Sequence, residues 1–407
     1  MLFFTKHKLY INIILLLLFL GALWVGRYSA LNYSKKTTIE PEKILIDAKE
    51  INKKCDKKTN HDECFAREFY ILAKKTNATY AISILTKLQE LNPKNTRGCH
   101  VIAHKISQAQ TEKDPQNWEN TLKKVPTSMC TGGFMHGVLE THISTNPEFK
   151  INEKSITHIC RGILKDASGG IFVERSCSHN LGHLLLVQND NNLKQTIDTC
   201  NRIEDREFHY QCLSGSFMER LTADNLIAHD IITSKPQWNR ALAQETEKIC
   251  STYIGQAERA CWNELSYVYI SLSNYEPHGL YSECQRAPSQ ERREDCYIYG
   301  AGNLVNTGRI KPENLTKICH FFSENNPAFN YCMVQTLSSL LLSTTDNLDK
   351  TINICEYTYD SYRHACYSQI IETLTDNGAA TSILQKACSR ITGTMSISRC
   401  KGKFSTT

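Results

Sequence analysis

Eighteen cysteines of two alternating kinds constrain the fold of this 407-residue chain more than any other feature. One kind ends an apolar helical pattern, as at Cys250, and the other begins one, as at Cys261. A closing cysteine is followed after a short polar stretch by an opening one, so a disulfide can join the end of one helix to the start of the next. The predicted disulfides of this kind are Cys55–Cys64, Cys160–Cys177, Cys200–Cys212, Cys250–Cys261, Cys284–Cys296, Cys319–Cys332, Cys355–Cys366 and Cys388–Cys400.

The two remaining cysteines, Cys99 and Cys130, both begin helical patterns, and by elimination they pair with each other across adjacent repeats. In the C-terminal half the opening cysteines recur every 34 to 36 residues, which is the length of one helix-turn-helix repeat. The N-terminal half keeps the scheme with longer intervals. The pattern predicts an all-α fold, an α-solenoid of disulfide-linked helix-turn-helix repeats behind one N-terminal transmembrane helix.

The period and the cysteine placement over residues 51–400 resemble those of Sel1-like and tetratricopeptide repeat proteins. The resemblance is greatest to secreted, cysteine-rich Sel1-like proteins, in which a disulfide also ties each repeat to the next. The gap between paired cysteines is longer here, and the glycine-rich loop signature and regular alanines of that family are absent. The resemblance implies a curved binding surface, and no functional residue is carried over from it.

The first thirty residues predict the compartment. Lys6 and Lys8 precede an apolar run at 9–25 that is just long enough to span a bilayer. No small-residue cleavage pattern follows, so we expect an uncleaved, single-pass signal anchor, with secretion after signal cleavage as the alternative. Positive charge before the helix places the N-terminus inside. Since an even number of cysteines also suits an oxidising compartment, residues 27–407 are expected in the periplasm or at the cell surface.

The predicted organisation has five parts. They are a cytoplasmic N-terminus at 1–8, a transmembrane anchor at 9–26, a juxtamembrane linker at 27–50, N-terminal helical repeats at 51–249 and C-terminal repeats at 250–407. A net charge of +5 is spread over 47 basic and 42 acidic residues without a basic stripe, so nucleic acid is not an expected partner. The expected partners are the membrane, through the N-terminal helix, and a protein or peptide on the repeat surface.

Two histidine pairs in the N-terminal half indicate a metal site. Residues four apart on a helix share a face, so each pair can present two imidazoles to one ion. Each pair lies just after an opening cysteine and is followed by a second opening cysteine with a glycine and Phe-Met, so 99–219 has the pattern of an internal duplication. The pairs are His100 with His104, and His179 with His183.

The third ligands predicted for these pairs are His136 and Glu140 in the first copy and Glu219 in the second. Two histidines with a histidine or glutamate from a neighbouring helix make up a zinc site, or an iron or copper site with open positions. The two copies could hold separate ions or one shared dinuclear centre. The zinc-protease pattern is excluded, because Val101 and Asn180 stand where it requires glutamate.

Other interpretations of these residues stay open at this point. The histidines could pack and hydrogen-bond beneath the disulfides, or transfer protons without a metal, and Cys99 and Cys130 could act as thiolate ligands. Tyrosines are frequent in the C-terminal half, where they suit either an interface or the packing between repeats. The alternative function is therefore a non-catalytic scaffold that binds a protein, peptide or glycan on the concave face of the solenoid.

Overall fold

The described residues are all-helical. A computed structural model describes residues 41–58, 61–92, 99–123, 129–163, 170–221, 239–306, 314–323, 325–343, 348–356, 358, 360–376 and 381–390. No β-strand occurs in these ranges, so the predicted all-α class is confirmed.

The α-helices alternate along the chain between two sets. The odd-numbered helices are α1 (Pro41–Cys55), α3 (Ala78–Leu91), α5 (Trp118–Lys123), α7 (Glu153–Thr157), α9 (Leu193–Cys200), α11 (Arg240–Cys250), α13 (Pro277–Cys284), α15 (Leu315–Cys319), α17 (Leu348–Glu356) and α19 (Thr381–Arg390). The even-numbered helices are α2 (His61–Lys75), α4 (Cys99–Thr111), α6 (Gly133–Thr145), α8 (Gly170–Gln188), α10 (Arg206–Leu221), α12 (Gly255–Leu272), α14 (Gln290–Asn306), α16 (Pro327–Ser343) and α18 (Asp360–Asp376). Two 3-10 helices, Pro115–Asn117 and Met129–Gly132, and a π-helix, His158–Ile163, complete the regular structure of the described residues.

The two sets form two layers. Each even-numbered helix packs against the next even-numbered helix, from α2 to α18, and the odd-numbered helices cover this row. One hydrophobic core runs through the array from Ala48 to Ala387. A helical repeat of one odd and one even helix is thus confirmed, because each hairpin buries its apolar side against its neighbours.

Helix α11 shows how a polar cap and one apolar stripe specify a short odd-numbered helix. In α11 the buried residues Ala243, Thr246 and Cys250 are three or four positions apart, so they lie on one face. The side chain of Asn239 caps this helix by accepting a hydrogen bond from the amide of Leu242. Such a helix can pack on the even-numbered row with one side only, which explains its place in the outer layer.

Eight disulfides join the described residues, and all eight are pairs predicted from the sequence, including Cys99–Cys130. Cys388 is also disulfide-bonded, while its predicted partner Cys400 lies outside the described residues. The prediction that opening cysteines begin helices is confirmed at Cys99, the first residue of α4, but most of the other described opening cysteines lie more than one turn inside their helices. In α12, for example, the helix begins at Gly255 and Cys261 is its seventh residue, because the polar segment before the cysteine is itself helical.

The predicted transmembrane anchor at 9–26 lies outside the described residues. Within the described part of the chain, no helix is both long and apolar enough to cross a membrane. Of the segment predicted as a linker at 27–50, residues 41–50 belong to α1. This helix buries Ala48 and Cys55, which are seven positions apart and therefore on one face.

The row of even-numbered helices is curved. Helix α16 contacts the 3-10 helix Met129–Gly132, and α18 contacts α8, although these elements are far apart in sequence. Late helices thus come back against helices of the first half. One of these early helices is α8, which carries both histidines of the second pair.

Candidate metal centre

Glycines bring the histidine-bearing helices into close contact. A Cβ on Gly133 would collide with the backbone carbonyl of His100, and one on Gly215 would collide with that of His179. Helix α4 therefore approaches α6 closely, and α8 approaches α10 closely. The two contacts lie at corresponding points, three residues after Cys130 and Cys212. Since only glycine allows this approach, side chains on either side of each contact are held close together.

The first pair of helices assembles two histidines and a carboxylate. Nε2 of His104 on α4 contacts Oε2 of Glu140 on α6, and the imidazoles of His104 and His136 lie with centroids 5.2 Å apart. Each of the three residues offers a ligand atom within 4.8 Å of the others. His104 and His136 are buried, and Glu140 is partly exposed. This group could hold a metal ion.

The second pair of helices assembles a different set of donors. Nδ1 of His183 on α8 is 2.8 Å from Oε2 of Glu219 on α10, and both side chains are buried. One turn earlier on α8, Nε2 of His179 lies 3.3 Å from the thioether sulfur of Met218. The second copy therefore has two histidines, a buried carboxylate and a sulfur.

The two sets meet. The imidazole of His136 is 5.3 Å from that of His183, centroid to centroid, and 5.9 Å from that of His100. His179 and His183 are 4.7 Å apart by the same measure. Thus the structure brings all seven predicted ligands into one continuous cluster, with His136 at the junction of the two copies.

Electrostatics favours a neutral imidazole at His179. Burial holds the pKa of His179 well below its ordinary value, and the neighbouring His183 and His100 lower it further. Nδ1 of His100 is 3.2 Å from the carbonyl oxygen of Cys130. Because a carbonyl only accepts, this contact places the proton of His100 on Nδ1 and the lone pair on Nε2. A neutral imidazole with a directed lone pair is the form that binds metals.

The members of the cluster differ in exposure. His100, Glu140, His179 and Met218 are partly exposed, whereas the other members are buried. The cluster is therefore not sealed from solvent at these four residues.

Two sequence interpretations are corrected here. Thiolate ligation by Cys99 and Cys130 is excluded, because these cysteines form a disulfide with each other. The duplicated Phe-Met dipeptides do not occupy equivalent places, because Gly133 and Gly215 set the common register. In that register His136 and Met218 both lie six residues after a cysteine. This spacing could have identified Met218, which the sequence reasoning missed.

A separate pocket of about 820 Å³ lies beside the cluster, between helices α8, α10, α12, α14 and α16. Its lining includes Arg175, one turn before His179 on α8, and Tyr210 on α10. Tyr299 and the exposed Tyr331 line the opposite side. Of the other tyrosines in the C-terminal half, Tyr269, Tyr297, Tyr362 and Tyr367 are buried between helices, and Tyr357 and Tyr359 lie outside the described residues.

Comparisons with known proteins returned no match to any family model, curated protein or solved structure.

Proposed function

We propose that the protein is a membrane-anchored, extracytoplasmic helical-repeat protein that binds a divalent transition metal through His104, His136 and Glu140. The observation that carries the proposal is the mutual approach of their ligand atoms, within 4.8 Å, across α4 and α6. Two imidazoles and a carboxylate are the donor set of catalytic zinc sites and of non-haem iron sites with open positions. A metal ion held this way supplies Lewis-acid chemistry.

The residues around this group have distinct roles in the proposal. His136 joins the two halves of the cluster, since its imidazole neighbours both His104 and His183. Glu140 is the one member of the ligand group that is partly exposed, so it is the ligand closest to solvent in the proposal. The glycine contact at Gly137, where a Cβ would collide with the carbonyl of His104, keeps the ligand-bearing faces of α4 and α6 together.

The compartment and the repeat type are parts of the same proposal. Eight disulfides along the described repeats support an oxidising, extracytoplasmic environment, and the apolar run at 9–25 supports a membrane anchor. Two alternating helical layers support an α-solenoid of the Sel1-like or tetratricopeptide type.

The test measures metal per chain in purified full-length protein, in wild type and in His104→Ala. His142→Ala is a matched control, because His142 is as buried as His104, lies on α6, and stacks on Trp118 outside the cluster. We expect His104→Ala to lose most of the bound ion, since two ligands leave the cation undercoordinated. The control should keep its metal and lose only stability.

Two results contradict the proposal. One is wild-type protein that carries no stoichiometric metal and gains no thermal stability from added zinc, iron, copper or manganese. The other is equal metal content in His104→Ala and His142→Ala.

The pocket supports a second candidate function, binding of a protein or peptide partner on the concave face. Its tyrosines and arginines suit recognition of an extended polar chain, and Tyr331 is 65% exposed. A photo-crosslinking residue at Tyr331 should capture a partner in cells. The same residue at Ile254, which is 87% exposed and outside the pocket lining, should not. Equal labelling from both positions would contradict a specific groove.

A further inference from the structure

We propose that His179, His183 and Met218 form a second metal subsite that prefers Cu(I), beside the group of His104, His136 and Glu140. This inference deepens the proposed function and rests on it, because it assigns the oxidation state and class of a second ion in the same cluster. Met218, the residue whose replacement tests the second subsite, lies outside the first group.

The separation of the two donors of His179 and Met218 fits a shared ion. Their nitrogen and sulfur atoms are 3.3 Å apart. Two donors bound at about 2.0 Å and 2.3 Å with a near-tetrahedral angle between them stand roughly 3.5 Å apart. Little movement is therefore needed to place one ion between the imidazole and the thioether.

His183 is the third donor that we assign to this ion. Its Nδ1 donates to the buried carboxylate of Glu219 at 2.8 Å, which places the lone pair of the neutral imidazole on Nε2. Metal-binding histidines usually have such a carboxylate on the nitrogen that faces away from the metal. His183 is four residues after His179 on α8, so the two imidazoles share a face, and their centroids are 4.7 Å apart.

The donors of the two subsites differ in kind. In the register set by Gly133 and Gly215, Met218 occupies the place of His136. The carboxylate of Glu219 contacts an imidazole and so stands behind the ligands. Two imidazoles with a thioether form a soft, neutral set, which favours Cu(I) over divalent ions that prefer carboxylate.

Charge supports the same assignment. The imidazoles of His136 and His183, one from each subsite, have centroids only 5.3 Å apart. Two ions at such close range repel each other, and a monovalent ion beside a divalent one halves that repulsion relative to two divalent ions. A partly buried pair of subsites therefore accepts Cu(I) beside a divalent ion more readily than a second divalent ion.

The test titrates full-length protein in detergent with Cu(I), supplied as its acetonitrile complex without oxygen, in competition with bicinchoninate. Met218→Leu removes the thioether with little change of volume. Met135→Leu is the matched control, since Met135 is buried on the neighbouring helix α6. We expect Met218→Leu to weaken Cu(I) binding by at least about tenfold and to remove a sulfur neighbour of copper from the X-ray absorption spectrum. Met135→Leu should bind Cu(I) as wild type does.

The two proposals fail separately. Met218→Leu should bind zinc as wild type does, and His104→Ala should still bind Cu(I). If Met218→Leu binds Cu(I) like wild type, with no sulfur neighbour in either spectrum, the second subsite is wrong while the first can still stand. If His104→Ala retains its zinc, the first site is wrong. Loss of Cu(I) binding in Met218→Leu would then still support the copper subsite.

Discussion

Nδ1 of His183 lies 2.8 Å from Oε2 of Glu219, a carboxylate with no exposed surface. Burying a carboxylate costs several kcal/mol unless it is paired and hydrogen-bonded. Even a buried carboxylate with a hydrogen-bonded partner rarely makes a protein more stable than two apolar side chains in the same place would. The contact joins α8 to α10 at the point where α8 meets His136 of α6. Its benefit is therefore orientation of the imidazole, which makes it a sensitive place to test the metal centre.

Replacing Glu219 with Gln should weaken Cu(I) binding at the second subsite by about 10- to 100-fold, because the imidazole of His183 loses its charged partner. The measurement is competition with bicinchoninate. Glu264→Gln is the control, since Glu264 is equally buried but lies on α12 and contacts Ser214 and Tyr299. Comparable losses in both variants would indicate a general effect on folding and contradict the orienting role.

Removing the Cys99–Cys130 disulfide should affect both stability and metal. This bond ties the start of α4, with His100 and His104, to the segment before His136. Replacing both cysteines with Ala should cost about 3 to 4 kcal/mol in the chain-entropy model and reduce metal content.

Replacing Cys284 and Cys296 with Ala is the control for this change, because that disulfide joins α13 to α14. It should cost a similar free energy of unfolding and leave metal per chain unchanged. Unaltered metal content in the Cys99 and Cys130 double variant would contradict the prediction.

Gly215→Ala should destabilise the fold by about 1 to 3 kcal/mol, because the added methyl would push α10 away from the carbonyl of His179. Gly300→Ala, also within an even-numbered helix, should cost less, since its methyl would meet only side-chain atoms at 3.0 to 3.2 Å. Chemical unfolding of both variants gives the comparison. A smaller cost at Gly215 than at Gly300 would contradict close backbone contact between α8 and α10.

Glu264 should make stability fall as pH rises from about 4.5 to 7. Burial raises the pKa of Glu264 from 4.5 to about 7, against the opposing hydrogen bonds from Ser214 and Tyr299. Between these values the folded protein holds a proton that the unfolded chain has lost, so raising the pH costs folding free energy. The loss is about 3 kcal/mol and is complete above the folded pKa.

Glu264→Gln should lack this pH-dependent contribution. Relative to wild type, its free energy of unfolding should improve by about 3 kcal/mol between pH 4.5 and pH 8. Parallel stability curves of the two proteins over that interval would contradict the assignment.

A topology reporter fused after Thr407 tests the compartment. An enzyme that is active only outside the cytoplasm should be active in this fusion, and a cytoplasm-only reporter should be inactive. The reverse pattern would contradict the signal-anchor prediction and the oxidising environment inferred from the disulfides.

The alternating cysteines were enough to predict the eight disulfides of the described residues and the repeat of one closing and one opening helix. These features follow from neighbours in sequence, because most of the bonds close loops of 9 to 17 residues. The four-residue spacing of His100 and His104, and of His179 and His183, likewise predicted which side chains share a helix face, since that is a property of a single helix.

Tertiary structure alone decided how these faces meet. Helical spacing says nothing of the rotation or distance between α6 and α8, so the contact of His136 with His183 could not be derived from it. The same holds for Met218 beside His179, which depends on how closely Gly215 lets α10 approach α8. Which side chains share a face is determined within a single helix. The convergence of four helices on one cluster depends instead on how all the helices of the array pack together.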